Sequence, residues 1–535
     1  MLKNSFLIYF SLISFTCFAQ KDFFNSVVIP DSTITPVDDM ASGYSQLIKA
    51  EKLKEIIEYL ASDSCEGREL GTKGIDIAAD YIADIFKKYG IAKIKNQNSY
   101  FQELGFTWIS WDKLSFKING VSYKQLWDYL AIPNQNDDLE LHTNEVLFLG
   151  YGVDDEKYSD YKDVDVKNKV LLIYNGEPKN KSGNYYLTGN TIPSLWSSET
   201  KLKIDAAAKH GAKMLMIIED NFKEFVDANR QSVVSPTVIL KNNTHGATIK
   251  TNNIHLSSPT VSILLSDYFN KVIKARSKIN KTGKPQRVLI KKKLEFIQKR
   301  NVRSVDGRNI LAYIEGTDKK DELIILSAHY DHLGMRGTEV YNGADDNASG
   351  TSAVIEIAHT LKQIKDTGKG PRRSVLCMLA TGEEKGLLGS MYYVNYPVFP
   401  LENTIANINV DMIGRTDEKY KSDMKYIYVI GSDRISTDLH QINLEVNQKY
   451  SQIKLDHTFN SEADPNRFYY RSDHYNFAEK GIPAIFFFSG VHEDYHRVTD
   501  DSNKILFDKA EKIARHIFLL TWELANREQK IGLNP

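Results

Sequence analysis

A set of acidic and imidazole side chains, each placed just after an apolar run, carries most of the chemistry that this sequence can do. They are His329 and Asp331 in Ser-Ala-His-Tyr-Asp-His, Asp346 in Gly-Ala-Asp-Asp-Asn-Ala-Ser-Gly, the pair Glu383-Glu384, Asp411 in Asn-Val-Asp-Met-Ile-Gly-Arg, and His496 in Tyr-His-Arg-Val-Thr-Asp. Imidazole and carboxylate are the donors that suit zinc, and two His with three carboxylates hold two ions if one carboxylate bridges. The pattern predicts a two-metal hydrolase. Asp346, in a turn ahead of a helix, is the candidate bridge, with Asp345 the neighbour most easily confused with it. Glu383 and Glu384 are adjacent and their side chains diverge, so one can coordinate while the other takes a proton. Asp331, two residues beyond His329, is placed to hydrogen-bond the imidazole and fix its tautomer. Tyr495, next to His496, is a candidate donor to an oxyanion.

These residues need a scaffold that brings distant segments together. From Asn309 onward the sequence alternates strand and helix: Leu323 to Ala328, Ser374 to Ala380, Ile405 to Val410, Tyr426 to Ile430 and Ala484 to Phe488 are apolar runs of the kind found in strands buried on both faces. Helical stretches at Ser349 to Lys362, Leu387 to Val394, Asp438 to Lys449 and Ile505 to Ala525 fill the gaps. The expected fold is α/β, a mixed and mostly parallel sheet between helix layers. Ligands in such sheets bind beyond the carboxyl ends of the strands, where His329, Glu383, Asp411 and His496 fall. Residues 46–107 begin this domain with two helices, the second running from Ile75 to Tyr89 and stopped by Gly90. Residues 108–294 change to short β-branched and aromatic runs, a β-rich insert, and 295–528 resume the main domain.

The N-terminus excludes little and suggests export. Met-Leu-Lys, an apolar stretch from Phe6 to Phe18 and small residues at Cys17 and Ala19 predict a signal peptide over 1–19, followed by an extended leader over 20–45. The protein is expected to be periplasmic or secreted, with no membrane span and with Cys65 and Cys377 as free thiols. Lys plus Arg (68) nearly balances Asp plus Glu (69), so no overall field favours nucleic acid. The basic stretch Lys271 to Arg303 alternates with apolar residues and lacks the interleaved aromatics of single-strand binders, so it is read as a solvated face or domain joint.

The motifs resemble, in order, those of the M28 family of metallopeptidases: His-Tyr-Asp, Gly-Ala-Asp-Asp-Asn-Ala-Ser-Gly, Glu-Glu, Asn-Val-Asp-Met and Tyr-His-x-x-x-Asp. The block Ser-Asp-His-Tyr-Asn-Phe-Ala-Glu-Lys-Gly-Ile-Pro at 472–483 and Gly-Arg-x-x-Gly-x-x-Gly at 67–74 are similar to further family segments. Phe148 to Lys169 and Ala206 to Ala212 resemble a protease-associated (PA) insert. The resemblance implies a zinc exopeptidase-like fold and two zinc ions, with cobalt or manganese able to use the same donors. It implies one ion on His329, Asp346 and Glu384, the other on Asp346, Asp411 and His496, with Glu383 as general base. It also implies a cis peptide after Asp346 and a peptide substrate.

Other readings compete. His492-Glu493-Asp494-Tyr495-His496 satisfies the one-zinc signature His-Glu-x-x-His, which requires a helix that this stretch does not predict. No Gly-x-Ser-x-Gly elbow marks a serine hydrolase. Within the family, an aminopeptidase is the leading reading, because the insert and the export signal are similar to secreted bacterial members. A carboxypeptidase acting on acidic C-terminal residues needs arginines at the substrate carboxylates, for which Arg415, Arg467 or Arg471 are candidates. A glutaminyl cyclase fits poorly. A receptor-like relative without metal would show ligand replacements, and none is seen.

Overall fold

The strands that carry the candidate residues lie side by side because each is apolar on both faces and must be covered by helices. In the computed structural model, which describes residues 40–95, 97–241 and 251–535, the strand Lys319–His329 pairs in parallel with Arg373–Ala380 on one side and Thr404–Val410 on the other. Thr404–Val410 continues in parallel to Ala484–Phe488. Beyond that, Tyr426–Ile430 runs antiparallel to Ala484–Phe488 and parallel to the edge strand Lys454–Asp456. The predicted mostly parallel sheet is therefore present, with Tyr426–Ile430 and Lys454–Asp456 running opposite to the other four strands.

Helices close both faces. Gly350–Asp366 and Phe507–Asn526 are buried on most of their surface. Lys73–Lys88 shows how the N-terminal segment joins them: Ile75, Ala78, Ala79, Ile82 and Phe86 form one buried stripe at helical spacing. Gly90 follows at φ 66°, a left-handed conformation that glycine adopts without strain.

The sheet does not end with this domain. Val288–Ile314 is one 27-residue strand. Its last residues pair antiparallel with Arg373–Ala380, and its earlier ones with Leu139–Phe148. Phe101–Ile118 runs alongside it, with one irregularity between Trp111 and Lys113. Leu139–Phe148 then leads into a parallel set, Val170–Tyr174, Met214–Ile218 and Asn252–Leu256. Alternate residues there serve two cores: Val170, Leu172 and Tyr174 pack on one face, Leu171 and Ile173 on the other. The expected boundary at 294/295 falls inside the long strand, whose side-chain pattern does not reveal that it changes partners.

The signal segment and most of the leader lie outside the described residues. The leader's last part is not extended as predicted: Met40–Ser45 is helical and buries Ala41 and Ser45. No helix among the described residues is long and apolar enough to cross a membrane. Cys65 and Cys377 are buried and unpaired.

Candidate metal centre

His329 is the last residue of its strand, and Asp411 follows directly on Thr404–Val410. Glu383 and Glu384 stand in the turn after Arg373–Ala380, and His496 comes from the loop after Ala484–Phe488. Asp346 lies in the buried turn Ala344–Ser349 that starts the helix Gly350–Asp366, and the Asp346–Asn347 peptide bond is cis, as the resemblance implied.

The other five side chains gather around Asp346. Its Oδ1 lies 3.4 Å from His329 Nε2 and its Oδ2 lies 3.1 Å from His496 Nε2. His329 Nε2 also stands 3.3 Å from Asp411 Oδ1, and His496 Nε2 stands 3.3 Å from Glu384 Oε2. The grouping differs from the expected one: Asp411 belongs with His329, and Glu384 with His496. The two glutamates diverge at this point, Glu383 turning toward His329 at 3.8 Å and Glu384 away from it.

The charges favour cations in this space. Four carboxylates, Asp346, Glu383, Glu384 and Asp411, surround two imidazoles. Burial opposes the imidazolium form of His496, yet contacts with Asp346 and Glu384 raise it to about 10, and His329 is raised well above its ordinary value against the same opposition. Burial, with Asp411 and Glu384 nearby, pushes Glu383 well above the usual carboxylate range despite the counteracting His329. A cluster that draws protons this strongly has an excess of negative charge, and its nitrogen and oxygen donors are those of a zinc site. The residues therefore fit divalent metal ions, with Asp346 turning one oxygen toward each imidazole.

Asp331 acts differently from its expected role. His329 Nδ1 faces the backbone carbonyl of Asp331 at 3.1 Å, while the Asp331 carboxylate lies 3.8 Å away. That carboxylate instead accepts the backbone N–H groups of Glu383 (3.1 Å) and Glu384 (3.3 Å), so it fixes the turn that carries both glutamates. Asp345 is turned away from the cluster, accepting from Gly414 N and facing His492 Nε2 at 3.3 Å. His492 and His496 thus look in different directions and share no helix, which removes the one-zinc signature. Tyr495 lies over His496 with ring centroids 3.9 Å apart, and its hydroxyl accepts from Arg471 Nη2 at 3.2 Å, leaving its own proton free to donate.

Several supporting residues were not identified from sequence. Ser472 Oγ donates to Asp411 Oδ2 at 2.7 Å. Asp500 accepts the backbone N–H of Asp346 at 3.1 Å. His332 is wholly buried beside Glu384. Arg68, also wholly buried, donates to the carbonyls of Tyr330, Leu60, Asn342 and Gly343, tying the N-terminal segment to the loops around the site. Each sits in a quoted motif, but a motif does not show which polar atoms face one another.

Next to the carboxylates a cavity of about 270 Å³ opens, walled by Met412, Phe468, Phe486, Phe488 and Val491, with Arg471 among its lining residues.

Residues 309–521 match the family model Peptidase family M28. Over those residues the chain is similar to the M28 peptidases. Aminopeptidase YwaD of Bacillus subtilis (strain 168) is 28% identical over 220 residues, 40% of this chain and 43% of that protein. A glutamate carboxypeptidase 2 homolog of Caenorhabditis elegans is 34% identical over 108 residues, 20% of this chain and 13% of its own length. The chain thus spans less than half the length of these curated M28-like relatives. The aminopeptidase structure from Aneurinibacillus sp. strain AM-1 superposes with a TM-score of 0.53 at 18% identity, covering 92% of this chain and 98% of that one, a likeness of fold.

Proposed function

We propose that this chain is a dinuclear zinc aminopeptidase that removes N-terminal residues from peptides. The observation that carries the reading is the division of Asp346 between two donor groups, His329 with Asp411 and His496 with Glu384, with Glu383 beside them. When bound there, the ions supply an acidified water and a polarised scissile carbonyl. Glu383 takes the proton of the attacking water and passes it to the leaving amine. Tyr495 donates a hydrogen bond from its hydroxyl to the developing oxyanion. Asp331 keeps Glu383 and Glu384 in register through their backbone N–H groups.

The choice of peptide end rests on the arginines. Arg415 is committed to Asp494 at 3.0 Å, and the Arg467 guanidinium lies over the Tyr470 ring. Of the three candidates only Arg471 lines the cavity, which is thin support for a clamp on a substrate bearing two carboxylates. The apolar walls suit the side chain of an uncharged terminal residue. We also take residues 108–294 to be a PA insert that shapes the cleft: its strand Thr237–Leu240 supplies Val238 and Leu240 to a cluster containing Leu388, close beyond Glu384. Export through residues 1–19 belongs to the same proposal, and N-terminal sequencing of the protein recovered outside the cytoplasm tests it.

The experiment for the activity compares one peptide in free, N-acetylated and C-amidated forms with zinc-loaded protein, reading products by mass. Loss of cleavage on acetylation alone is expected. Loss on amidation alone transfers the assignment to a carboxypeptidase, and no cleavage of any form refutes the exopeptidase reading for that peptide.

A further inference from the structure

We propose that His332 is a positioning residue for Glu384, engaging one carboxylate oxygen so that the other is presented toward His496. The inference rests on reading Glu384 as a metal ligand. His332 lies three residues past His329, and its side chain is fully buried. Its Nδ1 stands 2.8 Å from Glu384 Oε1 and 3.8 Å from Asp346 Oδ2. Glu384 Oε2 faces His496 Nε2 at 3.3 Å. The two oxygens of one carboxylate are therefore divided between two imidazoles.

The contact is at hydrogen-bond distance but out of line, and neither His332 Nδ1 nor Glu384 Oε1 has an aligned hydrogen-bond partner. Two buried polar atoms this close, with no other partner at hydrogen-bond distance, are costly unless they bond, so a small rotation of the carboxylate is favoured. Fixing Oε1 also fixes the direction of Oε2, which is how a residue outside the ligand set tunes a metal site.

The ring is held on several sides. His332 N donates to the carbonyl of Arg68 at 3.1 Å, and Arg68 Nη2 donates to the carbonyl of Gly343 at 2.9 Å. Gly343 lies flat against the imidazole, since a Cβ there would stand 2.5 Å from both Cγ and Cδ2. The His496 ring meets it edge-on, with centroids 5.8 Å apart. This packing leaves the ring little room to swing away from Glu384.

The test measures zinc retained by the full chain against a graded series of chelator, for wild type, His332→Ala and His332→Asn, with near-ultraviolet circular dichroism on each. Asn retains an N–H near the position of Nδ1. Expected are two ions on the wild type, release of one ion from His332→Ala at about 10- to 100-fold less chelator, and substantial recovery in His332→Asn, with all zinc-saturated spectra alike. Wild-type retention in His332→Ala overturns the inference while leaving the proposed function standing. Equal loss in both variants with altered spectra assigns His332 to packing and also overturns it. A wild type that holds no zinc overturns the proposed function, and this inference with it.

Discussion

Ser472 donates its hydroxyl to Asp411 Oδ2 at 2.7 Å, and it does so at the end of a directed chain of buried hydrogen bonds. Asn407 Nδ2 donates to Ser327 Oγ, Ser327 Oγ to Asn409 Oδ1, and Asn409 Nδ2 to Ser472 Oγ, each at 2.8–2.9 Å. The sheet interior thereby orients the carboxylate oxygen that faces away from His329. Replacing Ser472 with Ala breaks the last link and leaves Asp411 free to rotate. The expected result is about 10- to 100-fold weaker zinc retention, measured by chelator competition, with the fold preserved.

Glu383→Gln keeps the shape of the turn, because Asp331 bonds the backbone there and not the side chain. It removes the group that accepts a proton. Turnover is expected to fall by about 100-fold or more while zinc content stays at the wild-type level. Activity close to wild type would take Glu383 out of the base role.

Arg68→Met deletes the donors to four backbone carbonyls inside the protein. Each orphaned buried acceptor costs about 1–3 kcal/mol, so a loss of at least 3 kcal/mol is expected, on the order of several such groups. Urea unfolding of the zinc-free protein measures it without interference from metal binding.

His516 sets one component of the pH dependence of stability. Its Nε2 faces Asn443 Oδ1 and its Nδ1 faces Ser451 Oγ, both at 2.9 Å, which satisfies a neutral ring. Burial pushes it from 6.5 down to about 3. The unfolded chain takes up a proton near 6.5 and the folded one does not, so this contribution is fully present above 6.5 and declines as the pH falls toward 3, by about 1.4 kcal/mol per unit. The stability gap between wild type and His516→Gln should therefore narrow as the solution is acidified from 6.5, as read by denaturant titration at several pH values. A gap that stays constant would rule out the titration of His516 as its source.

The cavity predicts a preference among terminal residues. With Met412, Phe468, Phe486 and Phe488 as walls, leucine, methionine and phenylalanine substrates are expected to exceed aspartate ones in kcat/KM by at least tenfold, on the order of the 1–3 kcal/mol that apolar pocket contacts supply. A series of aminoacyl-anilides measures it.

What was legible in the sequence follows from what burial does to composition. Strands covered on both faces are written as unbroken apolar runs, so Tyr426–Ile430 and Ala484–Phe488 have the bounds predicted for them. The candidate residues at their ends were visible for the same reason. Their grouping was not: it depends on where neighbouring side chains point, and Glu383 and Glu384 are adjacent in sequence yet face different imidazoles. The uses of His332, Asp331 and Ser472 were hidden likewise, since a polar residue in a loop looks the same whether its partner is a backbone N–H, a carboxylate or water. The long strand Val288–Ile314 escaped notice because its exposed middle is strongly basic and hides its continuity with the apolar end.

That strand has a consequence for any attempt to divide the molecule. A fragment confined to residues 309–521 would keep Gly350–Asp366, most of the parallel sheet and the pairing of 310–314 with Arg373–Ala380, but lose the rest of Val288–Ile314 and the segment that covers the other side of 309–314, where Phe101 and Gln102 pair and the Tyr100 and Ala92 carbonyls accept from Leu311 and Tyr313. It would also lack Arg68 and the helices Ala50–Leu60 and Lys73–Lys88. An open edge of alternating N–H and C=O groups next to an apolar strand invites pairing with another copy. The segment that defines the family is thus the wrong one to express alone, and aggregation rather than inactivity is the failure to expect.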